Sequence, residues 1–505
     1  MQGKSDPGRH LLDAAALCRD LVEEGTIYAF LADHRSDLFK DPDFADLFPS
    51  GRGRPSIPVE LICSVMVLQA LEGLSDRDAV RQLKTRIDWK VACGLALDDP
   101  GFDFTNLTYW RSRLRRSARP ERIFDAVRSV VDATGVLANK HRRALDSTIL
   151  DDAVATQDTV TQLISQVRRV RALVPQARTV ATRHDYSSAA KPVIDWSDRA
   201  ERDGVVSELV ADALDVIEAT QGAQLSADQA DAVGMLALVS AQDVEPGEHP
   251  GTWRIARKVA KDRMISTVDP EARHGHKSVS VRKDGFKAHI CVEPGTGIVT
   301  AAKLTPANHP DGPAGLELMT AEPEGLEVLA DSAYGSGPTR TGLKAKGHRL
   351  VIKPLPSHPA VPGGLRRDDF SVDHGSRRVT CPAGHVARLS PGGVAKFAPH
   401  CQSCPLRSAC TSAKARTFSV GPNDAELVAA RAAWRDPGLI ATYRQHRPMA
   451  ERSISWLVSK GNRRLRYRGA ERNDAWLHVR VAALNLRRLL ALGLGYDDGW
   501  VLASG

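Results

Sequence analysis

The stretch Val328, Leu329 and Ala330, led in by Leu326, has the apolar character of a strand buried on both faces, yet it ends on a carboxylate, Asp331. Such a strand belongs to a sheet covered by helices on each side, where an ionised side chain is costly unless something compensates it. A second aspartate, Asp146, sits inside another strand-like run, "RRALDSTIL" (142–150), although aspartate is disfavoured in strands. The two together point to an α/β core, with Asp331 at the carboxyl end of its strand, where open α/β sheets bind ligands.

The rest of the 505 residues arranges itself around that core. Residues 10–48 and 59–92 carry helical patterns, with Ser75 as a helix N-cap, and "FTNLTYWRSRLRR" begins a basic helix. Residues 1–125 therefore form a helical N-terminal domain, compatible with DNA binding of the helix-turn-helix kind. The first core strand falls in 140–152, a helical insertion in 153–265, and the core continues over 270–363. Within it, 278–304 reads as three strands, with Asp284-Gly285 and "PGTG" as the hairpin turns. Residues 364–416 are a short Pro/Gly-rich, cysteine-bearing insertion, and 417–495 are core helices. No apolar stretch is long enough to span a bilayer and no signal peptide opens the chain, so a cytoplasmic location is expected.

A third carboxylate, Glu451, lies one turn before Ile454 on the stripe formed by Ile454, Leu457 and Val458, which turns it toward the sheet. Taken singly, each acid has a plain role: a backbone contact for Asp146, a turn cap for Asp331, an ion pair with Arg447 for Glu451. Three inward carboxylates in one pocket would instead take up protons unless a cation neutralised them. Oxygen-only donors suit Mg²⁺ or Mn²⁺, and two such ions about 4 Å apart perform in-line phosphodiester displacement. Asp151 and Asp152 precede a helical pattern and read as N-caps rather than as members of this set.

Net charge is +8, and the excess is concentrated. Residues 109–122 hold six arginines, including Arg111, Arg113, Arg115 and Arg116, against one acid. Residues 444–468 hold eight basic side chains, including Arg447, Lys460, Arg463, Arg464, Arg466 and Arg468, against Glu451 alone. With tyrosines and tryptophans interleaved, both runs favour a nucleic-acid backbone over a merely solvated face. Of eight cysteines, Cys18, Cys63, Cys93 and Cys291 stand singly as reduced thiols. Cys381, Cys401, Cys404 and Cys410 cluster with the spacing of a closed tetrahedral zinc site, in which His385 or His400 is an alternative ligand. His289 and His309 read as packed histidines.

"LDSTILDDA", "DPEARHGHKSVSVRKDGFKAHICV", "LTPANHPDG", "LADSAYGS" and "RPMAERSISWL" follow one another in an order that resembles bacterial insertion-sequence transposases of the DDE type, most similar to insertion-sequence family 1182. The resemblance covers nearly the whole chain. It implies an RNase H-like mixed-sheet core with Asp146, Asp331 and Glu451 as the acidic triad holding two Mg²⁺ or Mn²⁺ ions. It implies binding to terminal inverted repeats and target DNA, cleavage and strand transfer, and a homo-oligomer on nucleoid DNA. The family carries a tyrosine and an arginine before the glutamate and a basic residue seven positions after it. Arg447 matches, Tyr443 is one residue too distant, and position 458 is valine, with Lys460 the nearest base. An RNase H-like nuclease without strand transfer, or a non-catalytic zinc-stabilised DNA-binding protein derived from a transposase, are the alternatives.

Overall fold

Strands β1 (Arg142–Asp151), β2 (Arg273–His276), β3 (Arg282–Val292), β4 (Val299–Pro306), β5 (Glu327–Ala330) and β6 (Arg349–Ile352) build one mixed sheet in a computed structural model. The structure describes residues 1–5, 11–258, 260, 262–276 and 282–503. The order is β2-β3-β1-β5-β6, with β4 beside β2 on the outer edge of β3. β1 runs antiparallel to β3 and parallel to β5, and β5 runs parallel to β6. The expected α/β core is present, and all four residues of β5 are buried.

Two local expectations are corrected. Asp284 and Gly285 do not turn a hairpin; they lie inside β3, opposite His274 of β2 and Asp151 of β1 respectively. Gly285 has φ +142°, and a Cβ there would lie 2.4 Å from the Leu150 carbonyl oxygen, so the glycine serves a close backbone approach and not a turn. The "PGTG" turn does join β3 to β4. Residues 277–281, read as part of a first strand, lie outside the described residues. Asp151 and Asp152 cap no helix either: the next helix begins at Thr159, capped by Asp158, whose side chain accepts from the Thr161 N–H. Asp151 pairs instead with Lys283 at 2.8 Å, and Asp152 is buried facing Asp269.

The N-terminal helices include α1 (Val59–Glu72), α2 (Thr105–Arg115) and α3 (Arg122–Ala133). Ser75 caps its helix as expected, accepting the Asp78 N–H at 3.1 Å. In α1, Val59 and every residue from Leu61 to Ala70 are buried, so the helix is apolar all round and runs through the middle of the packing. These helices do not stop at residue 125 or form a separate core. One apolar cluster joins α1, α2 and α3 to β3, β4 and the last long helix, α8 (Ala470–Ala491).

Four further helices frame the sheet: α4 (Asp311–Leu318), α5 (Gly337–Ala345), α6 (Asp424–Ala433) and α7 (Pro437–Val458). A single buried side chain ties three of the long helices together. Arg480 of α8 donates to Ala70 O and Leu71 O at the end of α1, and to Trp456 O and Leu457 O at the end of α7, at 2.6–3.1 Å. Helix C-termini present unpaired carbonyls and a negative dipole end, so a guanidinium fits among them without a carboxylate partner. Burial nonetheless pushes its pKa down to about 9.

The helical insertion carries its own core, from Val160 to Met264. The cysteine-bearing insertion holds a three-stranded and a two-stranded sheet and reaches Ser419, slightly beyond the expected 416. A terminal hairpin, Leu494–Tyr496 with Trp500–Leu502, follows α8. No helix among the described residues is long and apolar enough to cross a membrane.

Candidate active site

Asp146 lies in the middle of β1 on the same face as Ala144, which packs with Leu439 and Ala450 of α7. That packing lays α7 across the strand. Arg447, one turn before Ala450, reaches down and grips Asp146 with both terminal nitrogens, at 2.9 and 2.8 Å. Both side chains are buried. Burial works against the Arg447 charge, but Asp146 outweighs it and holds the guanidinium above its ordinary pKa.

Asp331 follows directly on the end of β5. Its side chain accepts the Ala333 N–H at 2.9 Å, so it does cap the short 3₁₀ turn over Ser332–Tyr334. Burial pushes its carboxyl pKa up. The Ala333 hydrogen bond and the Arg447 charge oppose that rise, and Asp146 and Asp311 reinforce it. Asp146 and Asp331 are thus brought together, as their strands implied.

Glu451 departs from expectation. It is exposed, and among the described residues it has neither a hydrogen-bond nor an ion-pair partner. The inward position on this part of α7 is Arg447, whose pairing with Asp146 also removes the anticipated Arg447–Glu451 pair. Tyr443 feels both charges: burial raises its phenol pKa, Arg447 opposes this, and Asp331 and Glu451 add to the rise.

One acid of this neighbourhood escaped the sequence reading, although its motif "LTPANHPDG" was in view. Asp311, the first residue of α4, accepts from Ser147 Oγ at 2.8 Å and lies 3.2 Å from Lys287 Nζ. Ser147 alternates to the sheet face opposite Asp146, so Asp311 supports the strand from behind. His289 Nδ1 is 3.6 Å from Asp311, but burial, aided by Lys287, drives the imidazole pKa down to about 3, so it is neutral there. It is packed, as expected, with Nε2 on Thr305 Oγ1 at 2.9 Å.

The two basic runs meet although some 350 residues separate them. Arg111 stacks over the Tyr467 ring at 5.1 Å, and a cavity of about 240 Å³ between α2 and α8 is rimmed by Arg111, Arg115, Arg466 and Arg472. Many of these cations are already engaged. Arg111 binds Asp76, Arg113 covers Phe48, Arg115 faces Glu471, and Arg466 donates to Gly73 O. Arg116, Lys460 and Arg468 are exposed and have no ion-pair partner among the described residues.

Cys381, Cys401, Cys404 and Cys410 converge with His385 and His400 on one small cavity of about 20 Å³. Burial raises the Cys410 thiol pKa; Arg416 opposes this, and the other three cysteines add to the rise. The Arg416 N–H donates to Cys401 Sγ at 3.4 Å, and the two imidazoles stack at 4.5 Å. No sequence motif announced another trio: Glu121, Asp474 and His478 lie close enough to share an ion. There, burial pulls the His478 imidazole down, but Asp474 and Glu121 outweigh it and raise the pKa to about 9, as befits an imidazolium between two carboxylates.

Residues 252–486 match the family described as Transposase DDE domain, and residues 17–113 match the one described as Transposase domain (DUF772). Together they support a transposase of the DDE type. No curated protein matches the chain. A solved structure titled as a piggyBac transposase synaptic complex with hairpin DNA aligns over 97% of this chain and 78% of its own, at 11% identity and a TM-score of 0.28.

Proposed function

We propose that the protein is a transposase that cuts DNA at the ends of an insertion sequence and joins the freed ends to target DNA, with Asp146, Asp331 and Glu451 as its acidic triad. The observation that carries this reading is the meeting of Asp146 and Asp331 at adjacent strands inside a chain that matches two transposase domains. The donor set suits divalent metal: the groups are carboxylates, and Asp331 is a partly buried carboxylate at the end of the strand beside the one that bears Asp146. Two Mg²⁺ or Mn²⁺ ions bound there would supply an activated nucleophile and stabilise the leaving oxygen.

The chain's own residues do the rest. Asp146 and Asp331 are fixed by β1 and by the turn after β5. Glu451 projects from the exposed side of α7 toward the solvent from which DNA would approach. Arg116, Lys460 and Arg468 would meet the phosphate backbone. The mixed sheet, with β1 between an antiparallel and a parallel neighbour, is compatible with an RNase H-like core. The order of the motifs favours insertion-sequence family 1182, and action on nucleoid DNA as a homo-oligomer goes with that assignment. In the cysteine-bearing insertion, the convergence of four thiols on an ion-sized cavity supports one structural Zn²⁺ held by Cys381, Cys401, Cys404 and Cys410, with the histidines beside it.

The test is cleavage of a duplex taken from the DNA flanking the gene, in Mg²⁺, with binding measured on the same preparation. Asp331→Asn and Glu451→Gln should bind that duplex yet lose cleavage, and the double variant should be scarcely worse than either single one. A Glu451→Gln protein that cuts at the wild-type rate would refute the triad. Cutting without joining would reduce the protein to a nuclease.

A further inference from the structure

β1 is ten residues long, but β5 covers little of its edge. The β1–β5 register runs only from Arg142 opposite Glu327 to Ala144 opposite Leu329. At the far end, the basic segment after α7 takes over the same edge. Asp151 N–H donates to Arg463 O at 2.9 Å, Leu465 N–H donates to Asp151 O at 2.8 Å, and Asp151 pairs with Arg464 in parallel. Arg463–Leu465 therefore continues the lane that β5 began, leaving a gap along residues 146–149. At about 3.3 Å per residue that gap is roughly 10 Å long. Asp146 borders it on β1, its side chain held by Arg447, and Asp331 stands at its β5 end.

Among the described residues, a side chain and not a strand enters the gap from the other end. Arg463 Nη1 reaches Ile149 O at 3.3 Å and Thr148 Oγ1 at 3.5 Å, distances at the long limit for such bonds. Its remaining guanidinium donors have no partner among the described residues, and Thr148 shares the Asp146 face of the strand. This arginine differs from its neighbours, for Arg464 donates to Ala153 O and Arg466 to Gly73 O. Its backbone is held by a strand-like ladder while its head is lightly held and aimed back toward the carboxylates.

We propose that the unpaired edge of β1 between Asp331 and Arg463 is the seat of the DNA strand to be cut, and that Arg463 grips the phosphate next to the scissile one. This deepens the transposase reading and rests on it. A guanidinium suits the task because its planar fork pairs with two phosphate oxygens at once and stays charged. The cations that the carboxylates would hold fix only the scissile phosphate, so a fixed guanidinium at the opposite end sets the register of the strand against Asp146.

Arg463→Gln and Arg468→Gln separate this role from general attraction, because the Arg463 ladder uses backbone atoms and survives the substitution. With the flanking duplex in Mg²⁺, Arg463→Gln should slow single-turnover cleavage by at least about a hundredfold while changing affinity by less than about threefold. Arg463→Lys should recover part of the rate. Arg468→Gln should weaken binding and flatten its salt dependence, with the bound complex cutting normally. A neutral methylphosphonate beside the scissile position should slow the wild type and slow Arg463→Gln no further. Hydrogen exchange gives a readout independent of chemistry: bound duplex should protect the peptide spanning residues 146–150 in the wild type and not in Arg463→Gln. Equal behaviour of the two variants, or an unprotected 146–150 peptide in the complex, would overturn the seat. Protection there in a protein that binds but never cuts would preserve the seat and remove the cleavage reading.

Discussion

Substituting Asp146 should damage the fold as well as the chemistry, and by far more than substituting Asp331 or Glu451. Arg447 is buried, and both its terminal nitrogens end on Asp146. Asp146→Asn leaves one acceptor for two donors and removes the one charge that, among the described residues, the guanidinium grips directly. Opposite charges about 4 Å apart are worth about 4 kcal/mol at an effective dielectric near 20, and breaking a buried pair from one side costs about 3–5 kcal/mol. Asn keeps one hydrogen bond, so about 2–4 kcal/mol is the expected loss. Urea unfolding followed by far-ultraviolet circular dichroism measures it as a lower midpoint at unchanged slope. Glu451→Gln, on an exposed and unpaired side chain, should move the midpoint by less than about 0.5 kcal/mol. Asp146→Asn combined with Arg447→Met should be less destabilised than Asp146→Asn alone, because no orphaned charge remains. An Asp146→Asn protein as stable as the wild type would show that the Asp146–Arg447 pair contributes nothing and that the reasoning about buried charge fails here. The result also bears on interpretation: lost cleavage in Asp146→Asn is evidence of chemistry only where the variant remains folded.

Two other outcomes follow from side chains outside the cleft. His478 has a folded pKa raised to about 9 against an ordinary value near 6.5, so its contribution is complete below pH 6.5 and is lost as pH rises through 9. Unfolding midpoints should fall over that window by the equivalent of about 3 kcal/mol at most, and His478→Gln should flatten the fall; an unchanged slope would show that the imidazolium is not the cause. Elemental analysis should find about one zinc per chain, and Cys404→Ser should lower it and open residues 364–419 to proteolysis. Zinc-free protein with a protease-resistant insertion would end that assignment.

The sequence alone carried what depends on neighbours along the chain. Apolar runs marked β1 and β5, the 3.6-residue period marked α6, α7 and α8, and Ser75 announced its helix. Asp146 and Asp331 were legible as a pair because each broke a strand rule. Asp284-Gly285 misled because a glycine that permits close backbone approach and one that turns a hairpin look alike in sequence. Glu451 misled for a subtler reason. Arg447 and Glu451 sit only about 40° apart around a helix. Which of them meets β1 depends on the roll of α7, which is set by Leu439 and Ala450 seating against Ala144 and Leu329. Tertiary packing likewise decided that Arg111 meets Tyr467, that Asp311 braces β1 from behind, and that Arg463 continues the lane of β5. Each of these joins residues more than a hundred positions apart, and a local pattern holds no information about which distant partner closes such a contact.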